Sequence, residues 1–215
     1  MFRNYLKIAW RNLKRNRVYT MINIGGLALG MAVAMIIGLW IADELSFNKQ
    51  FDNYGRVAIV MQNQTHNGEI NSSESLPLQL AEELEITYGD YFAQIALANW
   101  GGAYLLAYEE KKITPSGYFA QPDITEILDL NMVEGTRLGL DDPNAVLLSK
   151  SLSNSFFGEQ PAIDKTIKLD DETWLTVIGV YEDLPLTSEY ADFKFIGSWG
   201  HYKKTLPEWL SWGNN

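Results

Sequence analysis

The residues of this chain that could do acid–base or metal chemistry are few. The 215-residue sequence has two histidines, His66 and His201, and no cysteine. A zinc site needs about four such ligands together, and a nucleophile needs an adjacent base, so these histidines predict neither. The acidic run from Asp170 to Glu172 lacks the spacing of a calcium loop and fits a solvated hairpin turn. We therefore expect no catalytic, cofactor or metal site, and no enzyme activity in this chain.

A long apolar run near the N-terminus is the most informative feature of the chain. Residues 18–42 contain no charged side chain. As a helix they would reach roughly 37 Å, which is enough for a hydrocarbon core of about 30 Å. The alternative is a cleaved secretory signal, but signal apolar regions span roughly 7–15 residues and end at small residues. This run ends in Trp40-Ile41-Ala42-Asp43. It predicts a retained transmembrane helix with Trp40 as an interfacial anchor.

The charges around this run predict its orientation. All six charged residues before residue 18 are cations: Arg3, Lys7, Arg11, Lys14, Arg15 and Arg17. The basic side of a membrane helix stays in the cytoplasm. We therefore expect a cytoplasmic N-terminus and an exported domain after Ala42.

Residues 1–17 also have helical amphipathicity. The apolar positions at helical spacing are Phe2, Leu6, Ala9, Trp10 and Leu13. This pattern predicts an interfacial helix whose cations face anionic headgroups, at about 1 kcal/mol each. An ordinary basic flank with incidental periodicity is the alternative. The expected membrane-surface residues are Arg3, Lys7, Trp10, Arg11, Lys14, Arg15 and Arg17.

Small residues recur at every fourth position within the apolar run. They are Gly26, Gly30, Ala34 and Gly38. Such a stripe lets another membrane helix approach closely, although glycine and alanine are also common in membrane helices generally. We interpret the stripe as a helix-packing face.

The remainder, residues 43–215, has a different composition. It contains eleven of the 17 basic residues and all 27 acids, for a net charge of −16. That charge disfavours nucleic acid or anionic lipid as a partner of this part. Without cysteine it has no disulfides, and its length permits a core that is stable through burial alone. The pattern predicts one mixed α+β domain.

Local signals place elements within this domain. Strands are predicted at 57–62, 91–99, 103–114, 145–148, 166–169 and 174–181, and the charged residues 109–112 predict a turn that interrupts the third of these. Helices are predicted at 75–86, 123–128 and 149–157. Asn67-Gly68 predicts a tight hairpin turn, while Ser149 and Gly158 have the positions of a helix cap and a helix stop. The apolar residues Trp199, Leu206, Trp209, Leu210 and Trp212 are typical of a packed amphipathic helix.

Several longer segments resemble a known family. LKIAWRNLKRN, INIGGLALGMA and LWIADELSF resemble the opening of ABC transporter permeases of the macrolide-exporter and lipoprotein-release type, the FtsX-like permeases. ITPSGYFAQPDITEILDLNMVEGT, PNAVLLSKSLSNSFFGEQPAIDKTIKL and VIGVYEDLPLTSEYADFKF are similar to segments of the MacB-like periplasmic core domain. The stretch from Asn48 to Gly55 departs from the usual pattern, with Asn48, Gln50 and Phe51 replacing an acidic residue and a Phe-His pair.

The resemblance implies the N-terminal part of a permease subunit in the inner membrane, with a periplasmic domain used in export or release of substrate. It implies a cytoplasmic ABC ATPase as partner, since this sequence has no G-x-x-x-x-G-K-[ST] loop. It also implies a second permease copy or the remaining permease half, because relatives continue into three more membrane helices. We therefore expect a split or truncated subunit that does not transport alone. The alternatives are a membrane-anchored binding or sensor domain and a tethered enzyme.

Overall fold

The computed structural model describes residues 2–49, 51 and 53–207. The chain divides into two compact units, residues 1–47 and residues 48–215. The first unit contains two helices, α1 (Phe2–Arg15) and α2 (Arg17–Ser46). They are separated at Asn16, whose φ of −109° and ψ of 60° interrupt the helix. Among the described residues, α2 is the one helix that is long and apolar enough to cross a membrane, as the sequence predicts.

The second unit contains the remaining elements. The helices are α3 (Leu80–Tyr88), α4 (Ile124–Ile127), α5 (Lys150–Phe157) and α6 (Trp199–Thr205). The strands are β1 (Gln62–His66), β2 (Glu69–Ser73), β3 (Gly102–Ala103), β4 (Leu106–Tyr108), β5 (Lys111–Ile113), β6 (Ser116–Ala120), β7 (Met132–Gly135), β8 (Ala145–Ser149), β9 (Thr166–Leu169), β10 (Thr173–Tyr181) and β11 (Phe193–Ser198). This confirms the mixed α+β class.

A mixed sheet organises the second unit. Its strand order is β3-β6-β11-β8-β10-β9-β4-β5, and β7 adds to β10. The pairs β6/β11 and β8/β10 are parallel, while β8 and β11 are antiparallel to each other. Strands β1 and β2 form a separate hairpin. The large sheet is therefore built around β8, β10 and β11, which all lie within residues 145–198.

The sheet has an apolar core on each face. Along β8, Val146 and Leu148 belong to one cluster, which also contains Phe156 of α5. Ala145 and Leu147 belong to the other cluster, with residues around α4. This follows from strand geometry, since successive side chains point to opposite faces. Burial on both faces explains why residues 145–148 of β8 are all apolar rather than alternating.

Several predicted elements are confirmed. The Ser149 hydroxyl accepts a hydrogen bond from the Leu152 amide at the start of α5, and Gly158 ends this helix with a φ of 64°. Asn67 and Gly68 have φ values of 51° and 86° in the β1–β2 turn. These left-handed values are what a tight hairpin turn requires. Strands β9 and β10 pair as the predicted hairpin.

Other predicted boundaries are wrong. The strand predicted at 57–62 begins only at Gln62, and residues 57–61 form no strand. The helix predicted from residue 75 begins at Leu80. The strand predicted at 91–99 is reduced to one bridge between Ala98 and Ala120. At residues 57–61 and 91–97 the apolar pattern is present, but no strand among the described residues pairs with it. Residues 75–79 form no helix, and the Leu80 amide donates to the Pro77 carbonyl in a turn.

The predicted interruption of the 103–114 strand is confirmed, because a turn at residues 109–110 separates β4 from β5. A further break at residues 104–105 separates β3 from β4.

The predicted cap of α4 and the predicted C-terminal helix agree with the structure only in part. Asp123 has the cap position of α4, but its side chain makes no cap hydrogen bond. At the C-terminus, Trp199 begins α6 and Leu206 follows it. Trp209, Leu210 and Trp212 lie outside the described residues.

Candidate functional site

The elbow between α1 and α2 brings together the predicted membrane-surface residues nearest the apolar run. The Thr20 hydroxyl donates to the Leu13 carbonyl at 3.0 Å, across the break at Asn16. The Lys14 ammonium lies 5.5 Å from the centroid of the Trp10 ring. A cation over an aromatic face is attracted to the ring quadrupole. These contacts define the bend and place Lys14 on its inner side.

The predicted membrane-surface residues are all exposed in the structure: Arg3, Lys7, Trp10, Arg11, Lys14, Arg15 and Arg17. Exposure leaves these cations free to meet an anionic surface. Their membrane-surface role stays a prediction.

The predicted helix-packing stripe is open. A Cβ atom added at Gly26, Gly30 or Gly38 would have no neighbour within 4 Å. Ala34 is exposed as well. The face could therefore accept another helix without rearrangement of α2, and the packing role stays a prediction.

Within the second unit, one carboxylate joins three segments of the fold. Asp183 lies on the loop after β10 and accepts hydrogen bonds from the amide of Ser151, at 2.8 Å, and from its hydroxyl, at 2.5 Å. The Lys194 ammonium, from β11, lies 3.2 Å from the same carboxylate. The loop is therefore attached to the first turn of α5 and to β11. Sequence reasoning missed this network, and its signal was the segment VYEDLPL, in which Asp183 is the second residue after a buried strand.

The environment of Asp183 perturbs its ionisation. Partial burial by itself would raise the pKa, but the hydrogen bonds from Ser151 and the charge of Lys194 outweigh it and hold the pKa below its usual value. Because this pKa is lower in the folded than in the unfolded state, the charged carboxylate stabilises the fold above about pH 4. This stabilisation is lost as the pH falls through the folded-state value.

We expect Asp183→Ala to lower the free energy of unfolding by about 1.5 kcal/mol at neutral pH, after allowance for the partial exposure of the side chain. The difference from the unmodified protein should shrink in acid, since protonation removes the same charge. Thermal unfolding of the full chain in detergent at several pH values measures both effects. The control is Asp192→Ala, which removes an exposed carboxylate from the same loop. Equal losses in the two variants at every pH would contradict the bracing role of Asp183.

The other chemical candidates are dispersed. His66 lies exposed in β1. His201 is partly buried beside the Phe119 ring, and burial, with help from the nearby Lys204 charge, lowers its pKa.

In the β9–β10 turn, Asp171 pairs with Lys112 at 2.9 Å. The hydrogen bond from Lys112 is the main reason that the pKa of Asp171 is lowered. Across the part of the chain that the structure describes, no three His, Asp or Glu residues are grouped so as to hold a metal ion.

Comparison with known proteins decides the family. The model of the MacB-like periplasmic core domain matches residues 20–212, which include most of α2 and nearly all of the second unit. The chain belongs to the MacB-like periplasmic core domain family. The sequence resemblance to MacB-like permeases is thereby confirmed at the level of the family. No curated protein matches the chain.

Solved structures show the same fold for this MacB-like domain. A domain assigned to a permease protein from Porphyromonas gingivalis is 20% identical, with a TM-score of 0.54, and the match covers 68% of this chain and 61% of that one. The periplasmic region of MacB from Actinobacillus actinomycetemcomitans is 18% identical, with a TM-score of 0.51, and the match covers 68% and 66%. The chain thus spans less than two thirds of either structure.

Proposed function

We propose that the chain is the N-terminal part of an ABC transporter permease subunit, which couples ATP hydrolysis in a cytoplasmic partner to movement of its periplasmic domain. The observation that supports this most is the family match across residues 20–212, since it joins an apolar helix to the domain in one polypeptide. The subunit would then act by changing conformation, and export or release of the substrate would follow from movement of its periplasmic domain.

Contacts at the start of the domain suggest how motion enters it. The Asn48 amide donates to the Thr187 carbonyl at 2.8 Å, and the Asn48 side chain accepts from the Glu189 amide at 3.1 Å. Asn48 has a φ of 58°, a left-handed conformation that asparagine tolerates better than most residues. The first residue of the domain is therefore attached to the loop that Asp183 braces.

This arrangement gives a mechanical path within the second unit. Displacement of Asn48 would move the 183–189 loop through its hydrogen bonds to that loop. The contacts of Asp183 with α5 and β11 would then carry the displacement to the centre of the sheet. Asn48 departs from the family pattern, and asparagine tolerates the left-handed backbone conformation that this link needs.

The partner of the membrane helix is proposed to be a second copy, packed on the Gly26, Gly30, Ala34 and Gly38 face. Close helix approach depends on small residues at the contact, because larger side chains hold the backbones apart. Since the natural chain has no cysteine, single-cysteine crosslinking reports this contact cleanly.

We expect Ala34→Cys to form a disulfide-linked dimer in oxidised membranes, whereas Ile36→Cys, on the opposite side of α2, should not. Adding Gly30→Ile to the Ala34→Cys chain should reduce the crosslink about tenfold or more, because the branched side chain fills the groove. Insertion should persist, since isoleucine is favourable in the bilayer. Equal crosslinking at positions 34 and 36, or no effect of Gly30→Ile, would show that this face does not mediate self-association.

A further inference from the structure

The inner side of the α1–α2 elbow is an open, mainly apolar concavity of about 490 Å³. Its wall on α1 is formed by Trp10, Leu13 and Lys14. Its wall on α2 is formed by Arg17, Thr20, Met21 and Ile24. Each set follows helical spacing, so its members share one face of their helix. The two faces meet because of the bend at Asn16.

The chemistry of this concavity changes in order along α2. Arg17 is cationic, Thr20 has a hydroxyl group, and Met21 and Ile24 are apolar. At 1.5 Å per residue, Met21 lies about 6 Å and Ile24 about 10 Å farther along the helix than Arg17. A phospholipid has the same order along its length, from phosphate through ester oxygens to acyl chain.

We propose that the elbow concavity holds one anionic phospholipid of the cytoplasmic leaflet. Its phosphate lies between Lys14 and Arg17, and an acyl chain follows Met21 and Ile24. This inference rests on the proposed function, since it requires α2 to cross the membrane with its basic end in the cytoplasm. It differs from diffuse attraction of lipid to α1 because it assigns one lipid to two particular cations.

Charge complementarity favours an anionic lipid as the occupant. Residues 1–42 contain no acid, so a phosphate in the concavity meets no opposing carboxylate. Free phosphate would satisfy the cations but leave the apolar wall uncovered. A lipid with a net negative headgroup satisfies both parts, and the Thr20 bond to Leu13 keeps the two walls at a fixed bend.

Native mass spectrometry of the full chain tests the proposal. The chain is reconstituted in nanodiscs of equimolar phosphatidylcholine and phosphatidylglycerol, then released into mild detergent, and the retained lipid is counted. We expect one phosphatidylglycerol per copy, which excess inorganic phosphate does not displace. The variant Lys14→Gln/Arg17→Gln should bind it about 30-fold more weakly.

The matched control is Arg3→Gln/Arg15→Gln, which removes the same charge at positions that do not line the concavity. In detergent the diffuse attraction of these two cations to a bilayer surface is lost, so this variant should retain the one bound lipid as the unmodified chain does. Met21→Trp, which narrows the apolar part of the concavity and keeps both cations, should also reduce retention. Equal losses in the two double variants, equal retention of phosphatidylcholine, or displacement by inorganic phosphate would each overturn the proposal.

Alkali extraction of the membranes separates this outcome from failure of the proposed function. A chain that resists extraction yet shows no selective lipid retention contradicts the lipid site alone. A chain that alkali removes from the membrane contradicts the membrane-spanning helix and, with it, both proposals.

Discussion

Gly135→Ala should destabilise the second unit by about 4 kcal/mol or more, the largest loss that we expect from a single methyl group in this chain. Gly135 ends β7 opposite Gly179 of β10, and its φ is 70°. An added Cβ would lie 2.2 Å from the Ile178 carbonyl oxygen and 2.9 Å from the Gly179 Cα. Because both of these atoms belong to the backbone, the overlap can be relieved only by separating the two strands.

Gly158→Ala is the matched control. Gly158 has a similar φ of 64°, with a ψ of −128° that L-residues rarely adopt, but an added Cβ there has no neighbour within 4 Å. It should therefore lose only the cost of this strained backbone conformation, about 2 kcal/mol. Thermal unfolding of the full chain in detergent, followed by tryptophan fluorescence, compares the two. For a domain of this size, we expect a fall in Tm of roughly 6 °C for Gly158→Ala and more than 10 °C for Gly135→Ala.

Similar losses in these two variants would contradict the close packing of β7 on β10. They would mean that backbone conformation alone explains the cost at Gly135. The comparison is informative because strain is common to both positions, whereas backbone overlap is confined to one.

The sequence predicts elements well where the signal is local. The α5 helix has its cap in Ser149 and its stop in Gly158, and the β1–β2 turn needs only Asn67 and Gly68. Each of these features depends on residues a few positions apart. Their physical causes, capping and left-handed backbone, are therefore visible without knowledge of the fold.

The sequence predicts poorly where an element depends on a distant partner. Strands β6 and β11 pair in parallel, although almost 80 residues separate them in the chain. Both are largely buried, so neither shows the alternation that marks a half-exposed strand. Residues 57–61 show the opposite case, in which an apolar pattern is present but no strand forms. Strand formation depends on hydrogen-bond partners that local composition does not identify.

The candidate site divides in the same way. In the first unit, the candidate membrane-surface cations and the candidate packing residues follow from charge and spacing alone, and their roles stay predictions. The Asp183 network could not, because Ser151 and Lys194 come to it from separate elements. The elbow concavity also depends on the bend at Asn16. Neither proline nor glycine is present there, so the sequence does not predict the bend.

Membrane orientation underlies every functional proposal for this chain, and it predicts an all-or-none result. Six cations precede the apolar run at residues 18–42, and all 27 acids follow it. The positive-inside rule then predicts a cytoplasmic start and an exported domain. Alkaline phosphatase is active only after export. Its activity therefore shows on which side of the membrane the residue at the fusion point lies.

The most direct test compares two alkaline phosphatase fusions in intact cells, one after Asn215 and one after Arg17, with fusion protein levels matched by immunoblot. We expect the fusion after Asn215 to be active and the fusion after Arg17 to be inactive. The reverse pattern would place the acidic domain in the cytoplasm and contradict the permease account.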